Sequence, residues 1–125
     1  MPKKILIVDD DPSLCNSFTM LLRSEGYSVD ATTDSLEGEI LVKKNKYDIC
    51  LFDYKMKGLN GKDLLKITKN GNPLCSVFIV SAMTNIEELC KKEIKADLVA
   101  GIISKPFYVE ELLQKIAAID QDSPH

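Results

Sequence analysis

Short apolar runs alternate with longer stretches of helical period along most of the chain, and this alternation is typical of a βαβ array. Four of the five runs are almost entirely apolar, as expected for parallel strands that helices cover on both faces. The predicted strands span about residues 4–8, 28–32, 48–52, 76–80 and 98–104. The pattern therefore predicts an α/β fold with five parallel strands.

Five amphipathic helices are predicted after these strands. The first begins with Asp11 as N-cap and Pro12 in the first helical position, and Gly26 ends it. The second starts at Asp34, and the third spans about residues 61–69. The apolar positions expected to be buried are, helix by helix, Leu14, Phe18, Leu21 and Leu22; Leu36, Ile40 and Leu41; Leu64, Leu65 and Ile67 or Thr68; Ile86, Leu89, Cys90 and Ile94; and Val109, Leu112, Leu113, Ile116 and Ala117.

Length and composition indicate one globular domain. We expect it to span residues 1–120, with residues 121–125 as a C-terminal tail. Hydrophobic residues make up 45% of the chain and charged residues 28%, as in soluble proteins. Each apolar run is shorter than the roughly 20 residues that span a bilayer. The apolar segment after the basic residues Lys3 and Lys4 is only four residues long before Asp9, which is too short for the core of a signal peptide. A cytoplasmic location without a membrane partner is predicted.

Charge and reactive side chains narrow the function further. The net charge is -3 and Arg23 is the single arginine, which argues against direct nucleic-acid binding. The single histidine, His125, is terminal, so mechanisms that need an imidazole are excluded. Widely spaced cysteines without a Cys-x-x-Cys pair are interpreted as small apolar side chains in a reducing compartment. They are Cys15, Cys50, Cys75 and Cys90.

Polar side chains follow four predicted strands at their carboxyl ends, where open parallel sheets bind ligands. Asp9 and Asp10 follow the first, Asp53 the third, Ser81 the fourth and Lys105 the fifth. Adjacent carboxylates repel unless a cation or hydrogen bonds offset their charge, and oxygen ligands without thiolate or imidazole favour Mg²⁺. The Lys105 ammonium can neutralise phosphoryl oxygens, and the Ser81 hydroxyl can donate a hydrogen bond to one of them. Because a carboxylate can attack phosphorus, Asp53 is a candidate phosphoryl acceptor. Each residue taken alone also fits an ordinary turn or helix cap.

The segments ILIVDDDPS, LFDYKMKGLNG, VSA and SKPF carry a resemblance to the receiver domain of two-component response regulators along nearly the whole chain. The resemblance implies a flavodoxin-like (βα)₅ fold, a doubly wound parallel sheet of strand order 2-1-3-4-5. It implies that a sensor histidine kinase or phosphotransfer protein donates a phosphoryl group to Asp53, for signalling to a downstream protein rather than for enzymatic turnover. The residues implied to hold Mg²⁺ are Asp9, Asp10, Asp53 and, through its main-chain carbonyl, Lys55, while Ser81 and Lys105 contact the phosphoryl oxygens.

Three positions depart from the family pattern. Lys57 stands where proline is usual, so the loop after the acceptor is expected to be less rigid. Ile102 occupies the position of the aromatic residue that commonly acts as a switch. The interval from Ser81 to Lys105 is slightly longer than usual, so the helix and loop between residues 87 and 99 are expected to be reshaped.

Two alternative functions differ from this one in the residues that they require. A phosphotransferase of the haloacid-dehalogenase type needs a second aspartate two residues after its nucleophile. Because Lys55 occupies that position, the sequence argues against this function. A degenerate receiver that acts as a phosphorylation-independent interaction module stays open because of Ile102 and the altered loop between residues 87 and 99. If Asp53 is phosphorylated, Lys55 and Met83 flank the path of a hydrolytic water, and they are candidate modulators of the phosphoryl lifetime.

Overall fold

The computed structural model describes residues 3–122. Five strands form one parallel sheet in the order β2-β1-β3-β4-β5, which confirms the predicted fold class and strand order. The strands are β1 (Lys4–Val8), β2 (Ser28–Thr32), β3 (Ile49–Asp53), β4 (Ser76–Ser81) and β5 (Gly101–Ser104). The helices are α1 (Pro12–Ser24), α2 (Ser35–Lys44), α3 (Gly61–Gly71), α4 (Ile86–Leu89), α5 (Lys91–Lys95) and α6 (Val109–Asp122).

Apolar layers cover both faces of the sheet, because successive strand residues point to opposite sides. Ile5 and Ile7 face one layer together with α1 and α6, whereas Leu6 and Val8 face the other together with α3 and α4. Each fully buried leucine or isoleucine contributes about 1.5–3 kcal/mol relative to an exposed one. This two-sided burial explains why the central strands are nearly continuous apolar runs.

Side-chain caps begin α1 and α2 where the sequence predicts them. Asp11 accepts hydrogen bonds from the backbone N–H groups of Ser13 (3.0 Å) and Leu14 (3.3 Å) and so caps α1. Asp34 caps α2 in the same way. α3 begins with a reciprocal capping box between Asn60 and Asp63. The third acid of the Asp9–Asp10–Asp11 triplet therefore has a structural role.

The predicted buried face of α2 was wrong at Leu36 and Ile40, whereas Leu41 is half-buried against the core, as predicted. Leu36 and Ile40 are 54% and 52% exposed. The helix instead turns Ser35 and Gly38 inward, and a Cβ at Gly38 would lie only 3.0 Å from Val8 Cγ2. Because Gly38 lets the helix backbone approach β1 closely, the contact face is set by small residues, and Leu36 and Ile40 are rotated towards solvent.

The predicted fourth helix is divided into α4 and α5, so the prediction of one continuous helix was wrong. The break falls at Cys90, and Asp97 adopts a left-handed conformation (φ 59°) shortly after α5. Aspartate tolerates this conformation better than most residues. Ile94 is 40% exposed, whereas Glu93 is buried against α3. The segment before β5 is thus irregular, as the departure from the family pattern led us to expect.

The last strand and the last helix differ from the sequence prediction, and the residues at both ends of the chain lie outside the described range. β5 is shorter than the predicted strand 98–104, and Val109 is 39% exposed, so it does not belong to the buried stripe of α6. α6 continues to Asp122, two residues into the predicted tail. His125 and Met1 lie outside the described residues. Between residues 3 and 122, the helices are too short or too polar to cross a membrane.

An ion pair connects α5 to α3. Lys62 Nζ lies 3.7 Å from Glu93 Oε1 and donates to the Leu89 carbonyl at 2.7 Å, while Lys66 Nζ lies 3.8 Å from Glu93 Oε2. Glu93 is 5% exposed, and within residues 3–122 its Oε1 has no hydrogen-bond partner. The position of α5 therefore depends on keeping positive charge beside a buried carboxylate.

We expect Lys62→Met to lower the free energy of unfolding by about 1–2 kcal/mol, because it removes both the nearer cation and the donor to Leu89. Lys66→Met is the matched control. Its side chain is 59% exposed, so its loss should cost less than about 0.5 kcal/mol. Urea denaturation of both variants measures the difference, and equal losses would show that Lys62 has no special role.

Candidate functional site

The sheet register brings the polar strand ends together. Val8 pairs with Phe52, which sets Asp9 beside Asp53, and Ser81 pairs with Ser104, which sets it beside Lys105. Carboxylate oxygens of Asp9, Asp10 and Asp53 all lie within 4.8 Å of one another. We call these three residues the acidic cluster. The structure therefore brings the candidate residues from β1, β3, β4 and β5 to one edge of the sheet.

Asp9 is the most constrained member of the acidic cluster. It is 2% exposed, and its Oδ1 accepts a hydrogen bond from the Asp11 backbone N–H at 3.0 Å. Its Oδ2 accepts from Lys105 Nζ, also at 3.0 Å. Asp10, in contrast, is exposed. The two adjacent acids thus differ in kind: one is held by the protein, and the other faces solvent beside it.

Lys105 is shared between two carboxylates. Its Nζ lies 3.0 Å from Asp9 and 3.5 Å from Asp53. Burial acts to lower the pKa of Lys105, but the hydrogen bond and the charge of Asp9, together with the charge of Asp53, outweigh it and raise the pKa above 10.5. Lys105 is therefore a permanent cation at neutral pH.

Asp53 is an unusually basic carboxylate. Burial at the end of β3 and the negative charge of Asp9 raise its pKa from 3.8 to about 6, although Lys105 opposes this shift. Asp10 adds a further unfavourable charge. Three carboxylates facing one ammonium leave the acidic cluster short of positive charge.

The oxygen atoms of the acidic cluster fit a small hard cation. Oxygen ligands of Mg²⁺ lie about 2.0–2.1 Å from the ion, which puts them roughly 3–4 Å from one another. The separations within 4.8 Å require little movement to reach that range. The donor set is carboxylate only, which favours Mg²⁺, Mn²⁺ or Ca²⁺ over zinc or copper.

Ser81 is positioned by its neighbours in the chain. It is 2% exposed, and its Oγ accepts a hydrogen bond from the Met83 backbone N–H at 3.0 Å. Its carbonyl accepts from the Lys105 N–H at 2.8 Å. Met83 is half-buried in the apolar layer beside α4. The hydroxyl hydrogen of Ser81 is not used in the bond to Met83, so it is free to donate to a ligand at the sheet edge.

The other two predicted positions lie around this centre. Lys55 is exposed in the loop two residues after Asp53. Ile102 lies on β5 opposite Ile79, half-buried in the apolar layer beside α4. Ile102 thus faces the same side of the sheet as the irregular segment that contains α4 and α5.

Two residues that shape the site were missed at the sequence level. A Cβ at Gly61 would lie 2.7 Å from the carbonyl oxygen of Asp53, so only glycine allows α3 to start this close to the strand end. The Gly61 N–H donates to the Tyr54 carbonyl at 2.9 Å and closes the loop. A glycine directly after the Asn60 cap was the available sequence signal.

Ser35 holds the same loop from the side of α2. Its buried Oγ donates to the Lys57 carbonyl at 2.7 Å and accepts from the Leu59 N–H at 3.0 Å. Gly58 lies between them with φ 81°, where a Cβ would come within 2.8 Å of the hydroxyl oxygen. These two hydrogen bonds restrain the loop in which Lys57 replaces proline, and the expected lower rigidity stays a prediction.

Comparison with known proteins gives one consistent family. The model of the response regulator receiver domain matches residues 5–117. The DNA-binding response regulator MtrA of Mycolicibacterium smegmatis is 29% identical over 118 residues, covering 94% of this chain and 50% of that protein. The regulatory protein VanRB of Enterococcus faecalis is 28% identical, covering 95% of this chain and 53% of that protein.

Comparison with solved structures indicates the same family as the comparison of sequences. The crystal structure of a CheY-like response regulator receiver domain protein from Methanospirillum hungatei has a TM-score of 0.88 and 29% identity, covering 97% of this chain and 96% of the other. The chain spans about half the length of the curated relatives that it matches.

Proposed function

Because the chain belongs to the response regulator receiver domain family, we propose that Asp53 is its phosphoacceptor. The observation that carries the proposal is the position of this carboxylate, 3.5 Å from Lys105 Nζ and inside the acidic cluster. In the reaction, an Asp53 oxygen attacks the phosphorus of a phosphohistidine on a histidine kinase or phosphotransfer protein. The P–N bond breaks, and the histidine nitrogen takes up a proton.

Mg²⁺ is the cation that we assign to the acidic cluster, with Asp9, Asp10, Asp53 and the main-chain carbonyl of Lys55 as its protein ligands. When bound, it supplies positive charge to the carboxylates and to the oxygens of the transferred group. The shortage of positive charge beside Asp53 supports this assignment. The side chains that could hold the ion are all carboxylates, which supports the assignment independently.

Lys105 and Ser81 receive the phosphoryl oxygens. Phosphorylation replaces one charge on Asp53 by a more highly charged group, so Lys105 is drawn from its bond to Asp9 towards the new oxygens. The free hydroxyl hydrogen of Ser81 donates to another oxygen. Movement at these two strand ends is carried along β5 to Ile102, which replaces the usual aromatic switch and transmits the change by packing.

The deciding experiment is incubation of the protein with acetyl phosphate and Mg²⁺, followed by intact-mass measurement. We expect a gain of one phosphoryl group in the wild type, no gain when EDTA replaces Mg²⁺, and no gain in Asp53→Asn. Circular dichroism of each sample confirms that the fold is intact. A folded wild type that gains no mass in the presence of metal would replace this proposal with a phosphorylation-independent interaction module.

We expect Lys55 and Met83 to prolong the phosphorylated state. Lys55 can pair with a phosphoryl oxygen, and the bulky half-buried Met83 obstructs the approach of water. Lys55→Asn and Met83→Ala should each lose the phosphoryl group several-fold faster than the wild type. Loss is timed by intact mass after removal of acetyl phosphate, with exposed Lys91→Asn as control. Unchanged or slower loss in both variants contradicts the expectation.

A further inference from the structure

Two cysteines meet at the end of the sheet opposite the acidic cluster. Cys50 is the second residue of β3, and Cys75 directly precedes β4. Their Sγ atoms are 3.5 Å apart, although 25 residues separate them in the chain. Both side chains are buried, with 0% and 1% exposure. Two thiols in hydrogen-bond contact, one on β3 and one in the turn just before β4, form an assembled pair, unlike Cys15 and Cys90.

We propose that Cys50 and Cys75 are a redox-active dithiol that a peroxide converts to a disulfide in the folded protein. The Cys75 sulfur attacks one oxygen of the peroxide, the O–O bond breaks, and Cys75 becomes a sulfenic acid. The Cys50 sulfur then attacks the Cys75 sulfur, the S–O bond breaks, and water leaves. With hydrogen peroxide, the two thiols lose two electrons and two protons in total, and the peroxide is reduced to two molecules of water.

The surroundings of the pair give the two sulfurs different roles. Hydrogen bonding with Cys50 lowers the pKa of Cys75, and the charge of Lys69 lowers it further against the opposing effect of burial. Lys69 Nζ is held nearby because it donates to the carbonyls of Pro73 and Cys75, each at 2.8 Å. Burial raises the pKa of Cys50. Cys75 lies in the turn before β4 beside the Lys69 ammonium, whereas Cys50 lies inside the central strand, so we assign the first attack to Cys75 and the resolving step to Cys50.

The backbone around Cys75 allows the sulfurs to close. A disulfide has an S–S distance of about 2.05 Å, so the pair must approach by roughly 1.5 Å. Cys50 lies on the central strand of the sheet, which is hydrogen-bonded to β1 on one side and to β4 on the other. Cys75 lies in the turn after α3, next to Leu74, which is 93% exposed, and its N–H donates to the Asn72 carbonyl within that turn, whereas the sheet begins at Ser76, whose N–H donates to the Asp48 carbonyl. Because both thiols are buried, the proposed reaction requires a small movement of this turn that brings Cys75 Sγ to Cys50 Sγ and admits the peroxide.

The remaining cysteines serve as internal controls. Cys15 Sγ donates to the Asp9 carbonyl at 3.2 Å, and burial together with the charge of Asp9 raises its pKa to about 11. Burial also raises the pKa of Cys90. Neither belongs to a close sulfur pair within residues 3–122, so both thiols are expected to resist oxidation at peroxide concentrations that oxidise the Cys50–Cys75 pair.

The test is treatment of the folded protein with hydrogen peroxide in native buffer, followed by denaturation, alkylation with N-ethylmaleimide and intact-mass measurement. We expect alkylation of all four cysteines before treatment and of two afterwards, with full recovery after dithiothreitol. Peptide mapping should show a Cys50–Cys75 link. The double variant Cys15→Ala/Cys90→Ala should still form the link, and Cys75→Ser should not.

Several results would overturn the inference. They are alkylation of all four cysteines after treatment, a link that includes Cys15 or Cys90, a disulfide between two chains, and a sulfinic acid on Cys75 without a link. Circular dichroism and a parallel reaction in urea distinguish reaction of the native state from reaction after unfolding. A disulfide that forms only in urea also overturns the proposal. Cys75→Ser lies in the turn rather than the sheet, so the test does not depend on a variant of the central strand.

Discussion

Asp53→Asn should raise the free energy of unfolding of the metal-free protein by about 1–3 kcal/mol near neutral pH. The pKa of Asp53 is raised from 3.8 to about 6, first by burial and then by the charge of Asp9. A carboxylate whose pKa is raised on folding destabilises the fold once it ionises. The cost is absent below pH 4, grows between about pH 4 and 6, and is complete above pH 6. Asparagine keeps the shape and removes that cost.

Urea denaturation of wild type and Asp53→Asn in EDTA, at pH 4 and at neutral pH, measures this effect. The gain should appear at neutral pH and nearly vanish at pH 4. Asp10→Asn is the matched control, since Asp10 is exposed and its loss should give a smaller gain. Addition of Mg²⁺ should stabilise the wild type more than Asp53→Asn and narrow the gap. A destabilised Asp53→Asn in EDTA at neutral pH would contradict the prediction.

Gly61→Ala should lower the free energy of unfolding by about 2–4 kcal/mol and slow phosphorylation by acetyl phosphate. The added Cβ would lie 2.7 Å from the Asp53 carbonyl oxygen and 3.0 Å from Tyr54 Cα. Both contacts are to backbone, so no side chain can rotate away. Either α3 moves outward or the end of β3 shifts, and the second movement displaces the acceptor carboxylate.

Gly71→Ala provides the control for this substitution. Gly71 ends the same helix, and a Cβ there meets nothing within 4 Å. It should be neutral or slightly stabilising, because alanine has the higher helix propensity. Thermal denaturation gives the stability of both variants, and the rate of mass gain with acetyl phosphate gives the reactivity. Equal stability of the two alanine variants would show that α3 can retreat from β3 freely.

The acidic cluster and the start of α3 are built at a cost to the stability of the fold. Asp53 is buried among like charges, and Gly61 gives up a side chain so that α3 can begin close to it. The first feature places the negative charges of Asp9 and Asp10 beside Asp53, and the second brings the start of α3 against the end of β3. Binding of a cation and of phosphoryl oxygens then relieves the repulsion that the protein alone leaves in place.

Much of the fold could be predicted from the sequence because strands and helix caps depend on residues that are close together in the chain. The strands were placed to within one or two residues, except for β5, because buried parallel strands are continuous apolar runs. The caps at Asp11 and Asp34 were also predicted, since a capping side chain bonds to backbone two or three residues away. The proximity of Asp9, Asp53 and Lys105 followed from the rule that parallel strands end at one edge.

Contacts between distant segments were not readable in this way. The predicted burial of Leu36 and Ile40 on α2 was wrong because Gly38 allows the helix to approach Val8 closely, and the apolar pattern does not indicate this contact. The ion pair between Glu93, which follows the break at Cys90, and Lys62 of α3 joins two helices that are distant in the chain. The Ser35 bonds to the loop around Gly58 link residues more than twenty positions apart.

The sequence by itself thus determined the order of elements and the set of polar groups at the strand ends. Both depend on periodicity and on interactions within a few residues. Only the tertiary structure decided how strongly Asp53 is perturbed, which face of α2 is buried, and that Cys50 and Cys75 lie together. Those properties depend on burial and on distances between segments far apart in the chain, which arise only when the helices and strands are packed together.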